Sequence, residues 1–246
     1  MKTSQFVISW LSQHRLLFFL GCILALLMSF PFIHEWFSNY LGLVEVFFTL
    51  LMIICVYVIN RDPKILTVAS LIAILTSTIM WFNFILNSLP LLITGLLLQI
   101  CFFTLTTYTI LNYVLSYHRV NEDTIYGAIS AYLLMGIIWA LIFTTLELAM
   151  PDSFKFSQAL FHNNAYIAGH RFYFSQFLYF SFVTLTTLGY GDIVPITLGA
   201  RGFASLEAIA GQLYVAVLIA RLVGLHISHS HWERIQQEES RKDKFK

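Results

Sequence analysis

Six apolar runs, at about 16–33, 41–59, 65–82, 89–116, 125–149 and 200–226, constrain this chain more than any other feature. Crossing a hydrocarbon layer of about 30 Å takes about 20 mostly apolar residues in a helix. Each run has the length and composition of such a helix. The expected fold class is therefore an all-α membrane protein with six transmembrane helices. The whole chain agrees: 58% of its 246 residues are hydrophobic and 11% charged. A soluble domain would carry about a quarter charged residues. The net charge of +1 gives no reason to expect a nucleic-acid partner. Cys22, Cys55 and Cys101 all fall inside apolar runs and read as small buried hydrophobes, not as a disulfide framework. The first run is followed by others, so it reads as a retained helix and not as a cleaved leader. Met1 to Arg15 mixes apolar with polar and basic residues. It reads either as a short interfacial helix or as the frayed start of the first span.

A seventh helical stretch, about 173–186, is too short to cross and rich in aromatic residues. It runs into Thr184-Leu-Thr-Thr-Leu-Gly-Tyr-Gly-Asp192. Gly189 and Gly191 reach backbone angles that other residues adopt only at a cost. Alternating them with ordinary residues lets successive carbonyls point to one side. Irregular backbone at membrane depth is tolerated only where protein or a water-filled path surrounds it. The stretch therefore reads as a re-entrant helix and loop between the fifth and sixth spans.

Thr184, Thr186, Thr187, Gly189, Tyr190, Gly191 and Asp192 resemble, residue by residue, the selectivity filter of potassium channels. The resemblance extends over about residues 125–226. It implies that four copies stack rings of oxygens that replace the water shell of K⁺. Thr187 would supply the lowest ring, with Leu188, Gly189 and Tyr190 above it and Gly191 completing the segment. One chain has one such loop, so the implied assembly is a homotetramer. Leu188 departs from the more usual Val or Ile, which bears on filter packing and not on the carbonyl. Tyr179 and Phe180 stand where the family usually has a pair of Trp that cuffs the filter. The resemblance implies a contact from the Tyr179 hydroxyl to Asp192; ordinary aromatic packing is the alternative. Arg201 and the run Ser205 to Gly211 resemble the family's inner helix, with Gly211 at its hinge glycine. A mid-helix glycine here serves bending, close packing against the pore helix, or both. Gln212, Val215 and Ile219 share one helical face. By the family pattern that face lines the cavity and forms an apolar gate; simple helix packing is the other reading. Glu147 resembles an outer-helix glutamate that bonds backbone near the top of the inner helix. Glu45 reads as a solvated or paired interfacial acid.

An even number of spans puts both termini on one side. That side holds Lys2, Arg15, Arg61, Lys64, Arg119, Arg221 and the tail from Arg234, against Lys155, Arg171 and Arg201 opposite. Basic residues favour the inner side, so both termini are expected in the cytoplasm of a multi-pass protein of the plasma (inner) membrane. The expected organisation is a four-helix module over 1–118, a pore module over 119–228 and a short charged tail over 229–246. The first four spans match a voltage-sensing module in number. The fourth, Leu91 to Tyr117, has no Arg or Lys. Each gating charge contributes only about 2.3 kcal/mol per 100 mV, so these spans are not expected to sense voltage. His226, His229 and His231 cluster at the expected inner mouth, as solvated tail residues or a proton or metal sensor.

Glu207 lies one turn before Gly211. A carboxylate in hydrocarbon costs at least about 2.5–3.5 kcal/mol, which disfavours a lipid-facing position. It points either sideways toward Ser181 and Thr184, bracing the filter, or into cavity water. The expected function is passive K⁺ conduction, with K⁺ as the permeant ligand, no cofactor and no covalent chemistry. Alternatives are a less selective monovalent cation channel and a non-conducting accessory subunit.

Overall fold

The computed structural model describes residues 15–36, 43–59, 63–116, 122–157 and 165–244; the side chains of 30–36, 43, 165–172 and 222–244 lie outside that description. Among the described residues the chain forms seven helices and one small sheet. These are α1 (Arg15–Trp36), α2 (Leu43–Ile59), α3 (Pro63–Leu86), α4 (Leu89–Ser116), α5 (Glu122–Ala149), β1 (Phe154–Phe156), α6 (Ala165–Leu185), β2 (Ile193–Pro195) and α7 (Leu198–Lys244). The Met1–Arg15 question falls almost wholly on residues outside those described.

Among the described residues four helices are long and apolar enough to cross a membrane: α3, α4, α5 and the Leu198–Arg221 part of α7. Helices α1 and α2 contain shorter apolar stretches, Arg15–Ser29 and Val44–Ile59. Several hydroxyls in these spans are satisfied locally, while Thr107 and Thr124 Oγ1 are buried without a hydrogen-bond partner among the described residues. Thr76 donates to the Ile72 carbonyl at 2.7 Å and Thr106 to the Phe102 carbonyl at 2.9 Å. A threonine bonded four residues back in its own helix leaves no bare polar group to lipid. The tight α3–α4 turn places Asn87 at φ 47°, a conformation asparagine tolerates. The Asn83 side chain accepts the Ser88 amide there at 3.0 Å.

Helix α5 is central. It packs on α1 and α4 on one side and on α6 and α7 on the other. Its buried face is built of small residues, including Gly127, Ala128, Ser130, Ala131, Gly136 and Ala140. Helices without side-chain bulk approach closely, which is how membrane helices gain dispersion contact. An aromatic cluster fills the outer end. Phe154 stacks edge-on against Phe177 at 4.7 Å and Phe143 at 5.5 Å.

The boundaries differ from expectation in three places. Helix α6 begins at Ala165, eight residues before the expected 173. Helix α7 continues through the charged tail to Lys244. That tail is rich in Glu, Gln, Arg and Lys, all good helix formers, so it extends the inner helix. The third difference is the pairing of β1 with β2, antiparallel, with Phe154 opposite Pro195 and Phe156 opposite Ile193. Three-residue strands are too short to show an alternating pattern. Cys55 is buried, but Cys101 is exposed, so it does not pack as a buried hydrophobe.

Candidate functional site

Helix α6 ends at Leu185, and the chain turns back along its own last turn. The Thr187 amide donates to the Thr184 carbonyl at 2.9 Å. The Leu188 and Gly189 amides both donate to the Val183 carbonyl, at 2.9 and 3.3 Å. The rising segment therefore hangs on the carbonyls of the last helical turn.

Its backbone has one regular feature. Thr187, Gly189 and Gly191 have φ of 59°, 59° and 77°, while Leu188 and Tyr190 between them are not left-handed. A chain that alternates hands at every residue collects its amides on one side and its carbonyls on the other. Two of the three left-handed positions are glycines, which pay no side-chain penalty there. Thr187 is β-branched, for which positive φ is an outlier. It persists because its amide is held by Thr184 and its hydroxyl accepts from Gln212 Nε2 at 3.2 Å. A Cβ built on Gly189 or Gly191 would meet nothing within 4 Å. Leu188 and Tyr190 are exposed on the single chain.

The outer end of the segment is tied down. The Asp192 carbonyl accepts the Ser157 amide at 2.8 Å, and its carboxylate accepts the Ile193 amide at 3.1 Å. Strand β2 begins at the next residue, so the sheet with β1 fixes where the segment finishes. The Tyr179 ring stacks on Tyr190 with centroids 6.4 Å apart and planes 8° from parallel. Desolvation, then the hydrogen bond from its hydroxyl to Asp192, push the Tyr179 phenol up to about 12. Phe180 takes no part here. It is buried in the aromatic cluster, 5.2 Å from Phe143 and 5.6 Å from Phe154. Thr186 donates to the Phe182 carbonyl at 2.6 Å and so extends the helix end.

Helix α7 meets this assembly on two faces. Glu207 is fully buried, with Oε1 2.5 Å from Ser181 Oγ. One turn on, a Cβ at Gly211 would collide with the Leu185 carbonyl oxygen, so glycine is required for the approach. The other face carries Gln212, Val215 and Ile219, of which Gln212 alone reaches the rising segment. Val215 and Ile219 are 39% and 56% exposed, facing away from the chain's own core. The Arg201 guanidinium donates to the Pro195 carbonyl at 3.3 Å, beside β2.

Glu147 bonds a different backbone stretch from the one expected, and burial removes the solvated one of the two readings of Glu45. Glu147 accepts the Asp152 and Phe154 amides, each at 3.1 Å. The chain reverses immediately after α5, and these amides come to hand before any from α7 does. Glu45 is buried, not solvated, and lines a small cavity with Phe48, Gln99, Thr144 and Phe174. The side chains of His226, His229 and His231 lie outside the described residues.

Sequence reasoning missed Tyr132 and Gly136 on α5. Tyr132 donates to the Leu185 carbonyl at 3.3 Å, and Ser181 Oγ lies 2.7 Å from the Gly136 carbonyl. Their four-residue spacing matches that of Ser181 and Leu185, a signal visible only once the helices are paired.

Residues 131–226 match the family model described as "Ion channel", a channel family and not an enzyme family. The A-type voltage-gated potassium channel KCND3 of rat, rabbit and human is in each case 36% identical over 66 residues, 27% of this chain. The match spans 9% of the length of those relatives. Over residues 131–226 the chain is thus similar to an ion-channel family, and over part of its length to potassium channels.

Proposed function

We propose that this chain is one subunit of a homotetrameric, K⁺-selective channel that conducts passively. The observation that carries the reading is the alternation of left-handed backbone at Thr187, Gly189 and Gly191 along a segment that is exposed on the single chain. Four copies around an axis would set the Thr187, Leu188, Gly189 and Tyr190 oxygens in rings, replacing the hydration shell of K⁺. On this reading α1 to α5 and α7 are six spans, α6 is the re-entrant pore helix, and the termini are cytoplasmic in the inner membrane. Gln212, Val215 and Ile219 would line the cavity, with Val215 and Ile219 as an apolar constriction and Gly211 as a bending point. The exposed apolar residues Leu206, Ile209, Leu213 and Val217 on α7 give four subunits surface to cover. The ion is the ligand, and the mechanism needs no cofactor.

The relatives are named as voltage-gated, but α4 contains no Arg or Lys. Conductance is therefore expected to vary weakly with voltage, through ions moving in the filter. A steep conductance–voltage curve that persists when the permeant ion is changed contradicts this. The first test is reconstitution of the purified chain in liposomes. K⁺ efflux supports the reading, no flux of any cation makes the chain an accessory subunit, and equal K⁺ and Na⁺ flux makes it a non-selective cation channel.

A further inference from the structure

The last turn of α6 is held from two sides by matched four-residue steps. On α5, Gly136 and Tyr132 face Ser181 and Leu185 through the 2.7 Å and 3.3 Å contacts. On α7, Glu207 and Gly211 face the same Ser181 and Leu185. Gly136 and Gly211 are both closed to a side chain. A Cβ at Gly136 would press on the Phe182 ring, and one at Gly211 on the Leu185 carbonyl. The carbonyls that hold the rising segment, from Phe182, Val183 and Thr184, lie between the two rungs.

The upper rung has a proton inventory that does not balance if Glu207 is ionised. Ser181 Oγ carries one hydrogen and stands within bonding distance of two acceptors, the Gly136 carbonyl at 2.7 Å and Glu207 Oε1 at 2.5 Å. The Gly136 carbonyl can only accept. Both contacts are satisfied together only if Ser181 donates to Gly136 and a protonated Glu207 donates to Ser181. Burial agrees: Glu207 Oε2 has no hydrogen-bond partner among the described residues, a costly state for a carboxylate and a cheap one for the carbonyl oxygen of an acid. In the lower rung the Leu185 carbonyl accepts from Tyr132 and abuts Gly211, so the helix end cannot slide without breaking both steps.

We propose that Glu207 is a neutral hydrogen-bond donor, a positioning residue that locks the inner helix to the pore helix through Ser181 and thereby sets the height of the Thr187 to Tyr190 oxygens. This deepens the channel reading and rests on it for its consequence in selectivity, but the donor role stands on the contacts alone. It does not place Glu207 in cavity water, where a charged ring would concentrate cations.

The test uses the full chain in liposomes, with Glu207→Gln, Glu207→Ala, Ser181→Ala and the double alanine variant. A Gln amide donates to Ser181 as the acid does, so Glu207→Gln is expected to keep the wild-type K⁺/Na⁺ flux ratio within about twofold. Each single alanine variant should lower that ratio by about tenfold, one hydrogen bond's worth. The double variant should lose no more than the worse single. Additive losses, or a Gln variant as impaired as the Ala variant, overturn the proposal. Where the alanine variants do not fold, infrared difference spectra of wild type against Glu207→Gln decide. A protonated carboxylic acid band lost in Gln supports the donor, and loss of a carboxylate band overturns it. Wild-type liposomes that pass no K⁺ would remove the channel reading, while the infrared result would still judge the donor role.

Discussion

Helices α1 to α4 and helices α5 to α7 differ in how far their polar side chains reach: both groups carry hydroxyls bonded four residues back, and the second adds short bonds from helix to helix. In the first group the hydroxyls mostly bond within their own helix, as Thr49, Thr67, Thr78, Thr94 and Thr109 do with the carbonyl four residues back. Two bonds that cross between helices there are long: Trp81 to Thr49 at 3.3 Å and Ser77 to the Met52 sulfur at 3.8 Å. In the second group polar side chains cross. Tyr214 donates to the Ala128 carbonyl at 2.6 Å, Tyr132 to Leu185, Gln212 to Thr187, and Ser181 bridges Gly136 and Glu207. A back-bonded threonine constrains only its own helix and adds nothing directional to the contact with the next one. Cross-helix bonds fix one helix against another to a fraction of an ångström. The pore side invests its polarity where a carbonyl position matters. The Arg221 guanidinium links the two regions, donating to the Leu115 carbonyl near the end of α4 at 2.6 Å.

The sharpest way to break the comparison is a matched pair of glycine substitutions. In Gly211→Ala the new methyl meets a backbone carbonyl, which cannot step aside. Overpacking of this kind costs about 1–3 kcal/mol, and the variant should lose flux and thermal stability together. In Gly95→Ala, on α4, the new methyl meets the Met80 side chain near its flexible sulfur. The helix-propensity gain of about 1 kcal/mol offsets that crowding, and stability should stay near wild type. Equal losses in melting temperature for the two variants would erase the distinction.

A second pair compares hydroxyls. Tyr214→Phe removes a crossing bond and should cost about 1 kcal/mol. Thr94→Val removes a back-bond within α4 and should cost no more than about 0.5 kcal/mol, since the Pro90 carbonyl keeps its helical partner. Chemical unfolding in detergent reads both. Arg221→Ala should fall between the two pairs in its effect on stability and leave the K⁺/Na⁺ ratio unchanged, because the bond it removes lies far along α7 from the rising segment. A changed ratio would show that the first four helices reach the selectivity element.

The smallest effect concerns pH. An ordinary tyrosine ionises near pH 10, but Tyr179 is held up to about 12 by desolvation and by its bond to Asp192. A raised value favours the protonated donor. Its stabilisation is complete below about pH 10, and it disappears as pH rises through about 12. Flux should therefore show no Tyr179-dependent step between neutral pH and 10, with Tyr179→Phe as the control. A step near 10 that Phe abolishes would mean the bond to Asp192 is not made.

The sequence made the helical class legible because apolar runs of this length have one economical solution in lipid. Glycines at 189 and 191 marked the left-handed positions, but Thr187 did not, since nothing in a threonine announces positive φ. Five residues apart at about 100° each, Glu207 and Gln212 lie on different faces of α7, and in the structure their side chains meet different partners. Tyr132 and Gly136 stayed invisible because their roles exist only across the α5–α6 contact. Glu147 was referred to the wrong backbone, since sequence distance does not reveal how sharply the chain turns after Ala149. The β1–β2 pairing has no period to read in three residues.

The central claim is that the oxygens of Thr187 to Tyr190 select K⁺, and a bi-ionic reversal potential in a planar bilayer tests it most directly. With K⁺ on one side and Na⁺ on the other, the wild-type chain is expected to reverse close to the K⁺ equilibrium potential. Gly189→Ala places a side chain at φ 59°, with open space around it in the single chain, so backbone hand alone costs about 1–2 kcal/mol. That variant should move the reversal toward zero or abolish the current. A wild-type reversal near zero, or an unshifted one in Gly189→Ala, would contradict the account.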